Sequence, residues 1–261
     1  MPLAVRVIPT LLVRGRTLVK GTQFNAWRSV GMAMQAARIH GARGVDELVI
    51  LDIGATPEGR GPDLKMVEEL SADLFCPLAV GGGVRTVADV RALLQAGADK
   101  VVIGSAALES TIVKDAAAVV GSQAIVVAID VKGPQVYGRN ATKPYSDSPS
   151  NILTADRWAM DMAAAGAGEI LLTNAMHEGT MLGYDLNLIR WVTRCVDIPV
   201  IAHGGAGTYQ HMLEAVHAGA SAVAAGAMFQ FSDNTPQGAA RYLREHGIEA
   251  RVPEEEKCRL S

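Results

Sequence analysis

Cysteine is scarce: the 261-residue chain has three, at positions 76, 195 and 258. Their spacing fits no metal-ligand motif, and an odd count suits a reducing compartment better than a disulfide framework. Cys76 and Cys195 stand just before apolar runs and are expected to be small buried hydrophobes. Aromatic residues make up only 5%. No apolar run approaches the ~18 residues of a membrane span. The opening MPLAVRVIP has neither the basic start nor the cleavage site of a secretory signal, so no membrane association is expected and the expected location is cytoplasmic. For the same reason the glycosylation spacing Asn140-Ala141-Thr142 is read as chance. A net charge of −3 gives no general attraction to nucleic acid. No residue pattern calls for a metal or a cofactor.

Glycine and aliphatic residues are abundant, and they repeat. Residues 77–107 read PLAVGGGVRTVADVRALLQAGADKVVIGSAA, and residues 199–228 read PVIAHGGAGTYQHMLEAVHAGASAVAAGAM. Pro77 matches Pro199, Gly97 matches Gly219 and Gly104 matches Gly226, all at one offset. Each copy is an apolar strand, a glycine cluster, an amphipathic helix, an Ala-Gly-Ala turn and a second apolar strand ending in glycine. A strand that ends in glycines before a helix is where backbone N–H groups can hold a phosphate. Gly82 and Gly83 with Gly104 and Ser105 form one expected cradle; Gly204 and Gly205 with Gly226 and Ala227 form the other. A phosphorylated small molecule is therefore an expected ligand. Tight helix–sheet packing is the alternative role for such glycines.

Along the whole chain, the two copies included, continuous apolar runs alternate with helical patterns eight times. Such runs imply strands buried on both faces of a parallel sheet. Eight βα units predict a (β/α)8 barrel, with an open doubly wound sheet as the alternative that leaves the repeat unexplained. Residues 1–249 are read as one barrel built from two half-barrels, about 1–121 and 122–249. Residues 250–261 are read as a charged, solvated tail carrying Glu254, Glu255 and Glu256. Two longer loops, Arg14–Val30 and Lys132–Asn151, fall at the C-terminal face, where barrel active sites lie.

Several residues at that face can carry chemistry. Asp130 ends the fifth strand and is a candidate general acid/base, or else a turn-forming aspartate. Its counterpart in the first half is Leu12, which cannot move a proton. Lys20 can bind an anionic substrate or lie on the surface. Asp52 can act or cap its loop. Thr173 can bind substrate or serve as a β-branched strand residue. His177 stands at the same face. Glu178 and Gly179 can act at the site or belong to a turn paired with Glu58-Gly59. His203 can bind substrate, shuttle protons or pack a loop. At the opposite face Arg6, Glu47, Lys100 and Glu169 each begin a strand. Pointing inward they would form a salt-bridged gate around an axial passage; pointing outward they would be separate rim charges.

Taken together, RVIP, LVKG, DELVILDI, PLAVGGGVRT, GADKV, GSQAIVVAIDVK, GAGEILLT, GYDL, GGAG and AAGAMF resemble the cyclase subunit of imidazole glycerol phosphate synthase. The resemblance runs over most of the chain up to the tail. It implies a half-barrel duplication, two phosphate sites, and ammonia passing up the barrel from a glutaminase docked at the N-terminal face. The family's gate falls on Arg6, Glu47, Lys100 and Glu169, its loop lysine on Lys20 and one of its two catalytic aspartates on Asp130. The other aspartate falls on Leu12. His203 replaces a serine, Glu178 an aspartate and Gly104 an asparagine, and the fifth loop lacks the family's glycine-rich pattern.

These departures resemble paralogues that work with a glutaminase and a separate sugar amidotransferase to place an acetamidino group on a surface sugar. The first expectation is thus a synthase subunit that delivers ammonia for amidination of a sugar or similar acceptor. The second is the histidine-pathway cyclase with its acid/base group relocated, His203 and Glu178 being candidates. The third is a non-catalytic, phosphate-binding activator of a glutaminase.

Overall fold

A computed structural model describes residues 4–138, 141–145 and 152–253. Eight parallel strands form the barrel: β1 (Arg6–Arg14), β2 (Leu48–Asp52), β3 (Leu78–Gly81), β4 (Lys100–Ile103), β5 (Ile125–Lys132), β6 (Glu169–Asn174), β7 (Val200–His203) and β8 (Ala222–Ala225). Each pairs with the next in sequence. β8 returns to β1, from Arg6↔Ala222 to Pro9↔Ala225, and the barrel closes. The open-sheet alternative is thereby excluded. Around the strands lie α1 (Ala33–Ala42), α2 (Leu64–Asp73), α3 (Val87–Gln95), α4 (Ile112–Val120), α5 (Ala155–Ala165), α6 (Leu186–Thr193), α7 (Tyr209–His217), the short α8 (Ala227–Phe231) and α9 (Pro236–Glu245).

Period-two alternation explains the two cores. On β1, Val7 and Leu11 belong to the outer layer packed under the helices. Ile8 belongs to a separate inner cluster with Val49, Ala79, Val102, Val126, Leu171 and Ile201. Successive strand residues point to opposite faces, so a strand buried on both faces must be apolar throughout. The repeat also fixes the helix starts. Thr86 and Thr208, at matching positions, cap α3 and α7 by accepting from the N–H groups of Asp89 and His211. Each such cap stabilises its helix by about 1 kcal/mol.

Three expectations are corrected. The Arg14–Val30 segment is a β-hairpin rather than an irregular loop. Its strand Thr17–Thr22 pairs antiparallel with the end of β1 and with Asn25–Met32. In the Lys132–Asn151 segment, Gln135–Gly138 likewise folds back on β5; Asn140 of the glycosylation spacing lies outside the described residues. Cys195 is exposed and Cys76 only partly buried, because both fall in turns before a strand rather than inside it; Cys258 lies outside the described residues. The beginning of the tail is not free in solvent. Ala250 bridges to Val5, and Arg251 Nε lies 2.8 Å from Asp46 Oδ1. Glu254, Glu255 and Glu256 lie outside the described residues.

Candidate active site

The C-terminal face holds a cavity of about 370 Å³. Gly82, Gly83, Gly104 and Ser105 line one end of it, and Asp130, Thr173 and His203 line the opposite wall. Leu12, Leu51 and Ile53 supply apolar wall, and Phe24 and Trp27 from the hairpin lean over it. Val102 and Leu171 form its base, inside the barrel. Asp52 also lines the cavity, but its carboxylate is engaged. Oδ1 accepts from the N–H groups of Gly54 and Ala55, and Oδ2 meets Arg60 Nη1 at 3.1 Å. Loop capping is its role.

Asp130, Thr173 and His203 stand in one register row across β5, β6 and β7, with Thr173 paired to Asp130 on one side and to His203 on the other. Side chains in one row of a parallel sheet point the same way, here into the cavity. Thr173 Oγ1 lies 3.1 Å from His203 Nδ1. Burial, and then the Lys20 charge, lower the His203 pKa to about 3. The ring is neutral at physiological pH. Burial, with the nearby Glu178 carboxylate, raises the Asp130 pKa to about 7. Asp130 therefore holds and releases a proton near neutrality, which is what a general acid/base needs.

The other expected residues form a second, covered constellation. Lys20 Nζ lies 3.1 Å from Glu178 Oε1, with both side chains 3% exposed. The hairpin turn is tied to the same loop, the Gln23 N–H donating to the Glu178 carbonyl at 2.8 Å. A Cβ at Gly226 would sit 2.7 Å from Lys20 Nζ, so the ammonium group rests on that glycine. A Cβ at Gly205 would meet the Gly183 carbonyl, and one at Gly179 the Gly21 carbonyl. Gly204 is closed in by Thr173 and the Asn174 carbonyl. Gly204, Gly205, Gly226 and Ala227 are absent from the cavity lining, and the same holds for Lys20 and Glu178. His177 Nδ1 is spent on the Gly183 carbonyl at 2.8 Å.

At the opposite face the four strand-opening charges meet. Arg6 Nη1 is 2.5 Å and Lys100 Nζ 2.8 Å from the same Glu47 oxygen. Arg6 Nη2 is 3.1 Å and Lys100 Nζ 3.0 Å from Glu169. Burial opposes the Arg6 charge, but the two carboxylates outweigh it and push its pKa up. Two residues further along each of these strands come Ile8, Val49, Val102 and Leu171, all in the inner cluster. Because residues i and i+2 share a face, charged ring, apolar layer and cavity are stacked in that order. Thr10 Oγ1 is buried on the same strand as Arg6 and Ile8, with no hydrogen-bond partner among the described residues.

The residues that escaped the sequence reading are Phe24, Trp27, Ile53 and Arg85. A signal existed for two of them. In a chain with three tryptophans and four phenylalanines, one of each falls within four residues of a loop at the catalytic face. Against known proteins, the model of the family described as "Histidine biosynthesis protein" matches residues 6–235. That span runs from the first residue of β1 to the residue capping α9, and so contains every strand of the barrel and every residue of the cavity. The chain belongs to this histidine biosynthesis protein family.

Proposed function

We propose that this protein is an ammonia-accepting synthase subunit. A glutaminase docks at the N-terminal face, ammonia enters through the Arg6–Glu47–Lys100–Glu169 ring, and the nitrogen is used at the cavity for amidination of a sugar or similar acceptor, with or without a separate amidotransferase. The stacking of ring, apolar layer and cavity supports this reading most. A packed barrel normally fills its lower end with branched aliphatic side chains, and an interior ring of four charges is costly unless it has a use. At the upper end, exchanging a carbonyl oxygen for =NH takes two protons from the ammonia nitrogen and delivers two to the oxygen, which leaves as water, so a group that both accepts and donates protons is needed. Asp130, titrating near 7, is the cavity residue suited to both.

The test is isotopic. The intact complex is supplied with amide-¹⁵N glutamine and an excess of unlabelled ammonium, and the product is analysed for ¹⁵N. Passage through the barrel gives product that keeps the label; product diluted to the bulk ratio would overturn the reading. A histidine-pathway cyclase with a relocated acid/base group is the second reading, favoured by the Asp130–Thr173–His203 row. Leu12 sits at 4% exposure where a second carboxylate would be needed, and loss of such a group costs ~10²–10⁴-fold. Assay of wild type and Leu12→Asp with ammonium and the cyclase substrate separates the two. Turnover in the ordinary enzymatic range of ~1–10³ s⁻¹ from the wild type would favour the cyclase. Stimulated glutaminase with no nitrogen in any product would favour a non-catalytic activator.

A further inference from the structure

The duplication gives the cavity two unlike walls. In the second half, Asp130, Thr173 and His203 share one register row. The matching row of the first half is Leu12, Leu51 and Gly81, paired in the same way across β1, β2 and β3. All six residues line the cavity. One wall therefore carries every hydrogen-bonding side chain of the two rows, and the other carries none.

Hydrogen bonding on the polar wall fixes the place of one proton. Thr173 is buried, and among the described residues its hydroxyl has His203 Nδ1 as its partner, at 3.1 Å. A hydroxyl can donate or accept, whereas a neutral imidazole carries its proton on one nitrogen only. With the proton on Nδ1, Thr173 would accept it, and the buried hydroxyl hydrogen would be left without an acceptor. With the proton on Nε2, the hydroxyl donates to Nδ1 and no donor is stranded. Leaving a buried donor unmet is the costlier arrangement, so the proton belongs on Nε2. That nitrogen has no hydrogen bond to the described residues, yet it is not sealed off as a buried orphan. Because His203 lines the cavity, its N–H opens into it. Burial, and then the Lys20 charge, keep the ring neutral. Glu178, which would favour a cation, is spent on Lys20.

We infer that Thr173 is a positioning residue that holds His203 as the Nε2–H tautomer, so that Nε2–H donates to the carbonyl oxygen of the acceptor while the apolar substituent of that carbonyl lies against Leu12 and Leu51. This deepens the reading above and rests on it in taking the cavity as the place where nitrogen is added. As the ammonia nitrogen bonds to the carbonyl carbon, the C=O π pair moves onto oxygen. The hydrogen bond from Nε2–H strengthens as that charge grows. The Asp130 carboxylate takes one proton from nitrogen and returns it to oxygen, leaving a carbon that bears OH and NH2. The imidazole keeps its own proton throughout. His203 is thus a neutral hydrogen-bond donor, and the acid/base work stays with Asp130.

The test is ¹⁵N NMR of the full chain at pH 7 with labelled histidine rings. The chain has six histidines, and the His203 signals are those missing from His203→Gln. The Nε2–H form is expected to outnumber the other tautomer by at least ~5-fold. Thr173→Val should cut that ratio by ~5-fold, the scale of one net hydrogen bond, and Thr173→Ser should restore it. Titration with N-acetylglucosamine should shift the Nε2 resonance and leave Nδ1 nearly unmoved. Glucose, which lacks the acyl group, should shift neither. A proton on Nδ1, a cationic ring, a ratio unmoved by Thr173→Val, or no greater response to N-acetylglucosamine than to glucose would overturn the inference. The wild-type spectrum alone decides the tautomer should Thr173→Val not fold. None of these spectra involves ammonia, so this inference and the ammonia reading can fail separately.

Discussion

Asp130 is where the proposed catalytic role and the stability of the fold make opposite demands. Its carboxyl has a folded-state pKa of about 7 against an ordinary value near 3.9. The folded protein therefore binds the proton more tightly than the unfolded chain, and stability falls as pH rises from ~4 through ~7. Asp130→Asn removes the charged form. It should stabilise the protein at pH 8 by ~1–3 kcal/mol, a figure reduced because the cavity admits water, and leave stability at pH 4 nearly unchanged. Turnover should drop ~10²–10⁴-fold in the same variant. Urea denaturation at the two pH values, beside an activity assay, checks both; a variant destabilised at pH 8 would contradict the assignment.

His203 has the opposite sign. Its pKa of about 3 lies below the unfolded value, so its contribution is present above pH ~6.5 and lost as pH falls toward 3. His40, lowered to about 4 chiefly by burial, acts in the same direction. A neutral isostere such as His203→Gln should make the acid limb of the stability curve shallower. Asp130 was legible in the sequence as a candidate, because it ends an apolar strand just before a long loop at the C-terminal face, with a turn-forming role as the alternative. The neutrality of His203 was not, because it depends on burial and on the Lys20 charge, which only the closed barrel supplies.

The hairpin after β1 is the element that ties that strand to the loop after β6, through Lys20–Glu178 and the Gln23–Glu178 backbone hydrogen bond. Its turn residues Gln23 and Phe24 both have positive φ, 52° and 59°. Two-residue turns of that kind usually carry Asn-Gly, so Gln-Phe gives a sequence reader no signal. The strand Asn25–Met32 is also mostly exposed and lacks the alternation by which strands are recognised. From the sequence, Lys20 therefore reads as an anion-binding or surface lysine; in the structure it is half of a buried pair with Glu178.

Removing one partner of such a pair leaves an uncompensated charge. Lys20→Met should cost ~3–5 kcal/mol, whereas the double variant Lys20→Met/Glu178→Leu should recover most of the loss. A double variant no better than the single would show that the pair is not the main tie between hairpin and barrel. The glycines divide similarly. Gly59 has φ of 69° and open space around it, while a Cβ at Gly205 would lie 2.1 Å from the Gly183 carbonyl. Gly59→Ala should cost ~1 kcal/mol, and Gly205→Ala should add a further ~1–3 kcal/mol from overpacking. Equal losses in thermal or urea unfolding would mean that the loop can move away.

At the scale of the whole molecule, the barrel was the most legible feature. Continuous apolar strands, glycine punctuation and an internal repeat all pointed to one closed object. Eight strands pair in sequence order, with β8 on β1. The bottom ring was legible as four charged residues at four strand starts. Its reciprocity was not, since which carboxylate meets which cation depends on the barrel's stagger. The observed ring has each carboxylate touching both cations. Such a ring can be either a gate or only a fastening.

Those two roles separate in one measurement. Lys100→Met removes a cation that links Glu47 to Glu169, inside the mouth and away from the outer surface on which the proposed glutaminase would dock. Product formation by the proposed complex with a glutaminase is followed with glutamine and, separately, with ammonium that enters from solvent at the cavity. For an ammonia entrance, the glutamine-driven rate falls by a much larger factor than the ammonium-driven rate, while the complex still assembles. If both rates fall by the same factor, the ring is a structural salt-bridge cluster and no ammonia passes through it.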